Sequence, residues 1–135
     1  MRNSPSKLAV IVLAAGRGTR MKSRRAKVLH ELCGRSMLAH VLATAEALDP
    51  ERLIVVVGEQ SEEIERTFAG RCEFVVQTEQ RGTGHAVLQA EPKLSGFEGD
   101  VLLLYADVPL LRSQNLAAMR AEKRQGSSDF LILSA

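Results

Sequence analysis

The chain has 135 residues, 45% of them apolar, which fits one domain with a real core and argues against a disordered or low-complexity polypeptide. Its 18 basic and 16 acidic side chains leave a formal net charge of only +2, with the positive charge gathered between Arg17 and Lys27 while acids dominate stretches such as residues 59–65. A local anionic ligand accounts for that distribution better than a nucleic-acid surface, and no aromatic residue interleaves the basic run to stack on bases.

Residues 7–14, Lys-Leu-Ala-Val-Ile-Val-Leu-Ala, predict a buried strand, and a glycine turn with five cations follows: Arg20, Lys22, Arg24, Arg25 and Lys27. Residues 36–48 place Met37, Leu38, Val41, Leu42, Ala45 and Leu48 at helical spacing behind Ser36, an N-cap residue, and Asp49-Pro50 ends that helix. Residues 52–57 form a second, β-branched strand ended by Gly58. A helix over 59–68 and a third strand over 72–77 come next, then a helix opened by Gly82-Thr83-Gly84 and broken near Pro92. Residues 100–105 read as a very apolar fourth strand, 113–123 as a helix and 129–134 as a fifth strand. Strands alternating with helices predict an α/β fold, a doubly wound, mostly parallel sheet of Rossmann-like type covered on both faces. Nothing follows the fifth strand to cover its edge, which predicts a fragment of a larger protein, or self-association and other partnering across that edge.

Cys33 and Cys72 are far apart and form no C-x-x-C pair, so neither a zinc site nor a disulfide framework is expected, and a reducing cytoplasm is the default setting. The polar first residues are unlike a signal peptide, and no run approaches the ~20 apolar residues of a membrane helix.

Gly16 and Gly18 carry no Cβ, so the chain can turn sharply after the first strand and aim N–H groups at phosphate oxygens, to which Arg20 and Lys27 add full charges. A dinucleotide fingerprint would need a third glycine where Met21 stands, and a P-loop would need a Gly-Lys-Ser/Thr that does not occur. Asp107 arrives at the carboxyl end of the fourth strand, on the same rim as the glycine loop. A lone carboxylate there suits Mg²⁺, which completes its octahedron with water and substrate phosphates, although an aspartate at a strand end also reads as a simple cap. Gln77 offers the amide donor and acceptor that the imide edge of uracil requires, and Gly82 lets the backbone approach a base. Taken alone, residues 77–85 are a loop and a helix start, and His85, like His30 and His40, reads as a histidine satisfied by nearby backbone. The three histidines have no metal-site spacing.

Taken together, Leu13-Ala-Ala-Gly-x-Gly-Thr-Arg-Met21, Lys27-Val-Leu-His30, Gln77-x-Glu-Gln-x-Gly-Thr-Gly-His-Ala86 and Tyr105-x-Asp-Val-Pro-Leu110 carry a specific resemblance. In this order, from about residue 8 to the C-terminus, they resemble the pyrophosphorylase (N-terminal) domain of the bifunctional N-acetylglucosamine-1-phosphate uridyltransferase / glucosamine-1-phosphate acetyltransferase family of bacteria. The resemblance implies that Leu13, Ala14, Ala15, Gly16, Gly18, Thr19, Lys27, Gln77, Gly82 and Thr83 bind a uridine nucleotide. It also implies that Arg20 and Lys27 act on the phosphates and that Tyr105, Ala106 and Asp107 hold ribose and metal, with Mg²⁺ on Asp107. Two positions depart from the family pattern. Ala26 stands where the family usually has Pro, leaving the loop less rigid in φ, and Ala106 stands where it usually has Gly, adding a methyl near the ribose that would weaken binding if φ there were positive.

The implied reaction is uridylyl transfer from UTP to N-acetylglucosamine 1-phosphate, giving pyrophosphate and UDP-N-acetylglucosamine, which feeds cell-wall peptidoglycan synthesis. No protein nucleophile is needed, because the sugar phosphate attacks the α-phosphorus in line while Mg²⁺, Arg20, Lys27 and backbone N–H groups position and neutralise. In the family the sugar-binding half, a further metal ligand and a β-helix acetyltransferase domain lie downstream. Residues 1–135 therefore match the nucleotide-binding part only, and weak nucleotide binding with poor turnover is expected of the isolated chain. Two alternatives stay open: a related MobA-like nucleotidyltransferase with another base or acceptor, and a non-catalytic nucleotide-binding or assembly module.

Overall fold

A strand that is apolar on both faces belongs inside a sheet covered on both sides, and the Leu-Ala-Val-Ile-Val-Leu run takes that place as β1 (Leu8–Leu13). The computed structural model describes residues 6–16, 25–126 and 128–132. After β1 come a 3₁₀ turn (Lys27–Leu29), β2 (Glu31–Leu32), β3 (Arg35–Ser36), α1 (Met37–Glu46), β4 (Arg52–Val57), α2 (Glu62–Thr67) and β5 (Glu73–Val76). The chain continues through α3 (Thr83–Ala90), a second 3₁₀ turn (Glu91–Leu94), β6 (Asp100–Tyr105) and α4 (Ser113–Gln125).

Four strands pair in parallel in the order β5-β4-β1-β6. Successive side chains point to opposite faces of the sheet. Val10 and Val12 of β1, Val55 and Val57 of β4, and Leu102 and Leu104 of β6 pack with Leu38, Val41 and Leu42 of α1, Ile64 of α2 and Leu116 of α4. Ile11, Ile54 and Val56 face the other way, against Ala86 and Ala90 of α3. Helices cover both faces, and the fold is the doubly wound, Rossmann-like α/β arrangement that the alternating pattern predicts. Ile11, Leu38, Leu42 and Ile54 are fully buried, each contributing about 1.5–3 kcal/mol relative to exposure.

Local signals set most boundaries. The Ser36 hydroxyl accepts a hydrogen bond from the Ala39 N–H at 3.2 Å and so caps α1 as expected. Helix α2 is shorter than the expected 59–68 and starts only after Ser61. Among the described residues of the 129–134 segment no strand forms, and Phe130 and Ile132 are 87% and 88% exposed. Apolar composition does not make a strand where no neighbour offers a ladder, so the expected fifth strand is corrected over 129–132; residues 133–134 lie outside the described part. Among the described residues the outer edges of the sheet are those of β5 and β6. The first residue of β6, Asp100, is an anchor: Arg120 and Lys123 of α4 and the Ser6 hydroxyl converge on its carboxylate at 2.7–3.3 Å.

Candidate functional site

From β1 the chain winds outward to β4 and β5, and α3 then carries it back to the far side of β1, where β6 lies. At such a switch of direction, loops leaving neighbouring strands part and open a crevice at the carboxyl ends. Leu13 pairs with Tyr105, and the Ala106 N–H donates to the Leu13 carbonyl at 3.0 Å, so the loops after β1 and β6 start side by side.

A cleft of about 410 Å³ opens there. Leu13, Ala14, Ala15 and Gly16 line it from β1, Lys27 and Val28 from the first 3₁₀ turn, Gln77, Gln80, Gly82, Thr83 and Ala86 from the β5–α3 connection, and Tyr105 and Asp107 from the end of β6. Ten of the expected site residues thus surround one space. Gly18, Thr19 and Arg20 lie outside the described residues. Ala106 is not in the lining; its side chain is fully buried in the larger core and its φ is not positive, so the extra methyl causes no backbone strain and projects away from the cleft.

Gly16 stands at the start of the expected turn. Its φ is not in the left-handed region, and a Cβ built on it would meet no protein atom within 4 Å. The absent side chain therefore leaves room in the cleft, and the turn through Gly18 lies outside the described residues. The N–H groups of Ala15 and Gly16 donate to no described residue, which leaves two donors for an anion. Behind them, the Gln80 amide donates to the Ala15 carbonyl at 2.6 Å and ties the loop after β5 to the loop after β1. Gln80 was within reach of sequence reasoning, since it lies inside the third motif, but only the fold shows what it holds.

Gly82 has φ +96 and is the N-cap of α3, a backbone shape that a side chain would strain. Gln77 is 4% exposed and its amide nitrogen lies 2.9 Å from His85 Nδ1. Across the cleft the Lys27 ammonium donates to the Asp107 carboxylate at 2.9 Å, with both side chains more than a third exposed. Sequence reasoning named both residues and missed that they pair.

The Asp107 carboxylate already attracts a cationic nitrogen at the cleft rim, so its position and charge fit a divalent cation. Among the described residues no group of three or more His, Cys, Asp or Glu side chains could hold a metal, so an ion on Asp107 would take its other ligands from water and substrate. That donor set fits Mg²⁺.

No helix among the described residues is long and apolar enough to cross a membrane. In comparisons with known proteins, residues 10–135 match the family model described as "MobA-like NTP transferase domain". The chain is 51% identical over 127 residues to the bifunctional protein GlmU of Sphingopyxis alaskensis, covering 94% of this chain and 27% of that protein. It is 52% identical over 124 residues to the GlmU of Novosphingobium aromaticivorans, again covering 92% of this chain and 27% of the relative. The chain thus spans little more than a quarter of the length of these relatives. Among solved structures, Rv0371c of Mycobacterium tuberculosis superposes with a TM-score of 0.73 at 21% identity, covering 87% of this chain and 61% of that one. A nucleotidyl transferase from Methanothermobacter thermautotrophicus superposes with a TM-score of 0.72 at 23% identity, covering 87% and 57%. The structural likeness establishes the fold, and the sequence match establishes that this chain belongs to the MobA-like NTP transferase domain family.

Proposed function

We propose that the cleft binds UTP with Mg²⁺ and that the chain transfers the uridylyl group to N-acetylglucosamine 1-phosphate in the cytoplasm, where Cys33 and Cys72 as free thiols are at home. One observation carries this reading: backbone donors at Ala15 and Gly16 with no acceptor among the described residues, an ammonium at Lys27, a carboxylate at Asp107 and a buried amide at Gln77 face the same cleft. The identity to GlmU proteins favours uracil over the other bases used within the family.

In this reading the Ala15 and Gly16 N–H groups and Lys27 take the phosphate oxygens, Gln77 and Gly82 take the base, and Asp107 holds the metal. When bound, Mg²⁺ supplies charge neutralisation to the phosphates. A phosphate oxygen of the sugar phosphate forms the new bond to the α-phosphorus, and the bond from the α-phosphorus to its bridging oxygen breaks. The electron pair leaves with pyrophosphate. Arg20 belongs, by its place in the first motif, on the departing phosphates. The product, UDP-N-acetylglucosamine, serves peptidoglycan synthesis.

Calorimetric titration with UTP, GTP, CTP and dTTP in the presence of Mg²⁺ tests the reading. Preferred binding of UTP supports it, preferred binding of GTP assigns the cleft to another branch of the family, and no nucleotide binding refutes it. Pyrophosphate release with N-acetylglucosamine 1-phosphate is expected to be slow for the 135-residue chain.

The open side of β6 favours a second reading, an assembly module. Val101, Leu103 and Tyr105 lie 51%, 37% and 46% exposed on a strand whose outer edge pairs with no strand among the described residues. Self-association that grows with concentration in sedimentation, and that Asp107→Asn leaves unchanged, would support it.

A further inference from the structure

We infer that His85, which no base would touch, is the positioning residue that makes the cleft prefer uracil to cytosine; the inference rests on the uridine reading above and adds what sets the base. The Gln77 amide nitrogen is held between His85 Nδ1 at 2.9 Å and the Gly82 carbonyl at 3.4 Å. A carbonyl can only accept, so Gly82 determines which end of the amide carries the nitrogen. Both amide hydrogens are then engaged, His85 Nδ1 is an acceptor, and the ring proton sits on Nε2. The Gln89 amide stands 3.3 Å from that Nε2 and 3.3 Å from the His85 carbonyl. A neutral imidazole cannot accept at both nitrogens. The shorter contact, from the more deeply buried side chain, decides; the nitrogen of the partly exposed Gln89 stays with the His85 carbonyl, which can only accept, and makes no hydrogen bond to the ring.

Gln77 Oε1 is left as the free end of the amide. Among the described residues nothing donates to it, and Gln77 lines the cleft. Beside it the Gly82 N–H, at an N-cap with no side-chain partner, is a donor without a described acceptor. A free acceptor next to a free donor complements an imide, the N3–H and adjoining carbonyl of uracil. Cytosine held by the same sugar and phosphates would turn an unprotonated N3 toward Oε1, lone pair against lone pair. Without the acceptor at His85 the amide keeps only its longer contact to the Gly82 carbonyl, so it rotates more readily, presents its NH₂ to the cleft and accepts cytosine as well.

The test is calorimetric titration of the chain, His85→Leu and His85→Asp with UTP and with CTP in Mg²⁺. The unaltered chain should prefer UTP, and His85→Leu should lose roughly 10-fold or more of the UTP-to-CTP ratio, because a buried polar contact is mismatched rather than merely absent. A carboxylate at 85 only accepts, and an acid in the first turn of α3 suits the helix dipole, so His85→Asp should restore the ratio even where its charge weakens both nucleotides. A structural role alone would lower both affinities together. An unchanged ratio in His85→Leu overturns the proposal, and so does a lost ratio in His85→Asp. Nitrogen NMR of the unaltered chain reads the tautomer independently of any variant: a proton on Nε2 is expected, and a proton on Nδ1 overturns the proposal. Absence of any nucleotide binding by the unaltered chain refutes the uridine reading, and the base-selectivity role with it, whatever the tautomer.

Discussion

Lys27 and Asp107 are 80 residues apart in sequence and 2.9 Å apart in space. Both are exposed enough that solvent screens the pair, so it adds little to stability. Its weight falls on ligand binding. On the proposed reading the ammonium occupies the position a metal ion needs, and phosphates would draw it away. Lys27→Ala should therefore tighten Mg²⁺ binding in the absence of nucleotide and weaken UTP binding by about 10-fold, both measurable by calorimetry. Asp100 offers a different test. Burial raises its carboxyl pKa, but the Ser6 hydroxyl, Lys123 and Arg120 outweigh burial and hold it below its ordinary value of 3.8. A carboxyl depressed in the folded state stabilises fully above the unfolded value and loses that contribution as pH falls through the folded one. Asp100→Asn should thus lower the urea midpoint at neutral pH, and its difference from the unaltered chain should narrow as the pH falls below 3.8. At this scale the sequence discloses chemistry and hides pairing: Gln77, Lys27 and Asp107 could be named from residue type and motif, whereas the partners of Lys27, Gln80 and His85 depend on how loops meet.

The loop element before the 3₁₀ turn explains why Ala26 is tolerated. Its φ of −54° is one that proline's ring also imposes, and its N–H donates to no described residue. Ala26→Pro should raise stability by about 0.4–1 kcal/mol through the unfolded chain, seen as a higher melting temperature with nucleotide binding retained. The long strands and α1 were legible because burial on two faces, or helical spacing behind a cap, leaves a strong pattern. The β2–β3 hairpin was not. Its strands are two residues each and its turn rests on Cys33 and Gly34 at φ 52° and 76°, where cysteine gives no turn signal. The segment over 129–132 misled for the opposite reason, offering apolar residues with no strand beside them.

At the scale of the molecule, the order β5-β4-β1-β6 puts the early strands on one side of the cleft and β6 on the other. Among the described residues β6 is paired along β1 only, and α3 leaves Leu103 and Tyr105 partly uncovered. Native-state hydrogen exchange should show β6 amides opening before those of β1 and β4, since an edge strand with an exposed face has less to hold it. The boundary between β1 and β6 is thus a seam in the protein, and the cleft straddles its end. A molecule gripping Gly16 on one bank and Asp107 on the other would act as a staple across that seam. β6, expected to open before β1 and β4, is then the strand whose exchange slows most when the cleft fills, so occupancy could be followed from backbone amides that never touch the ligand.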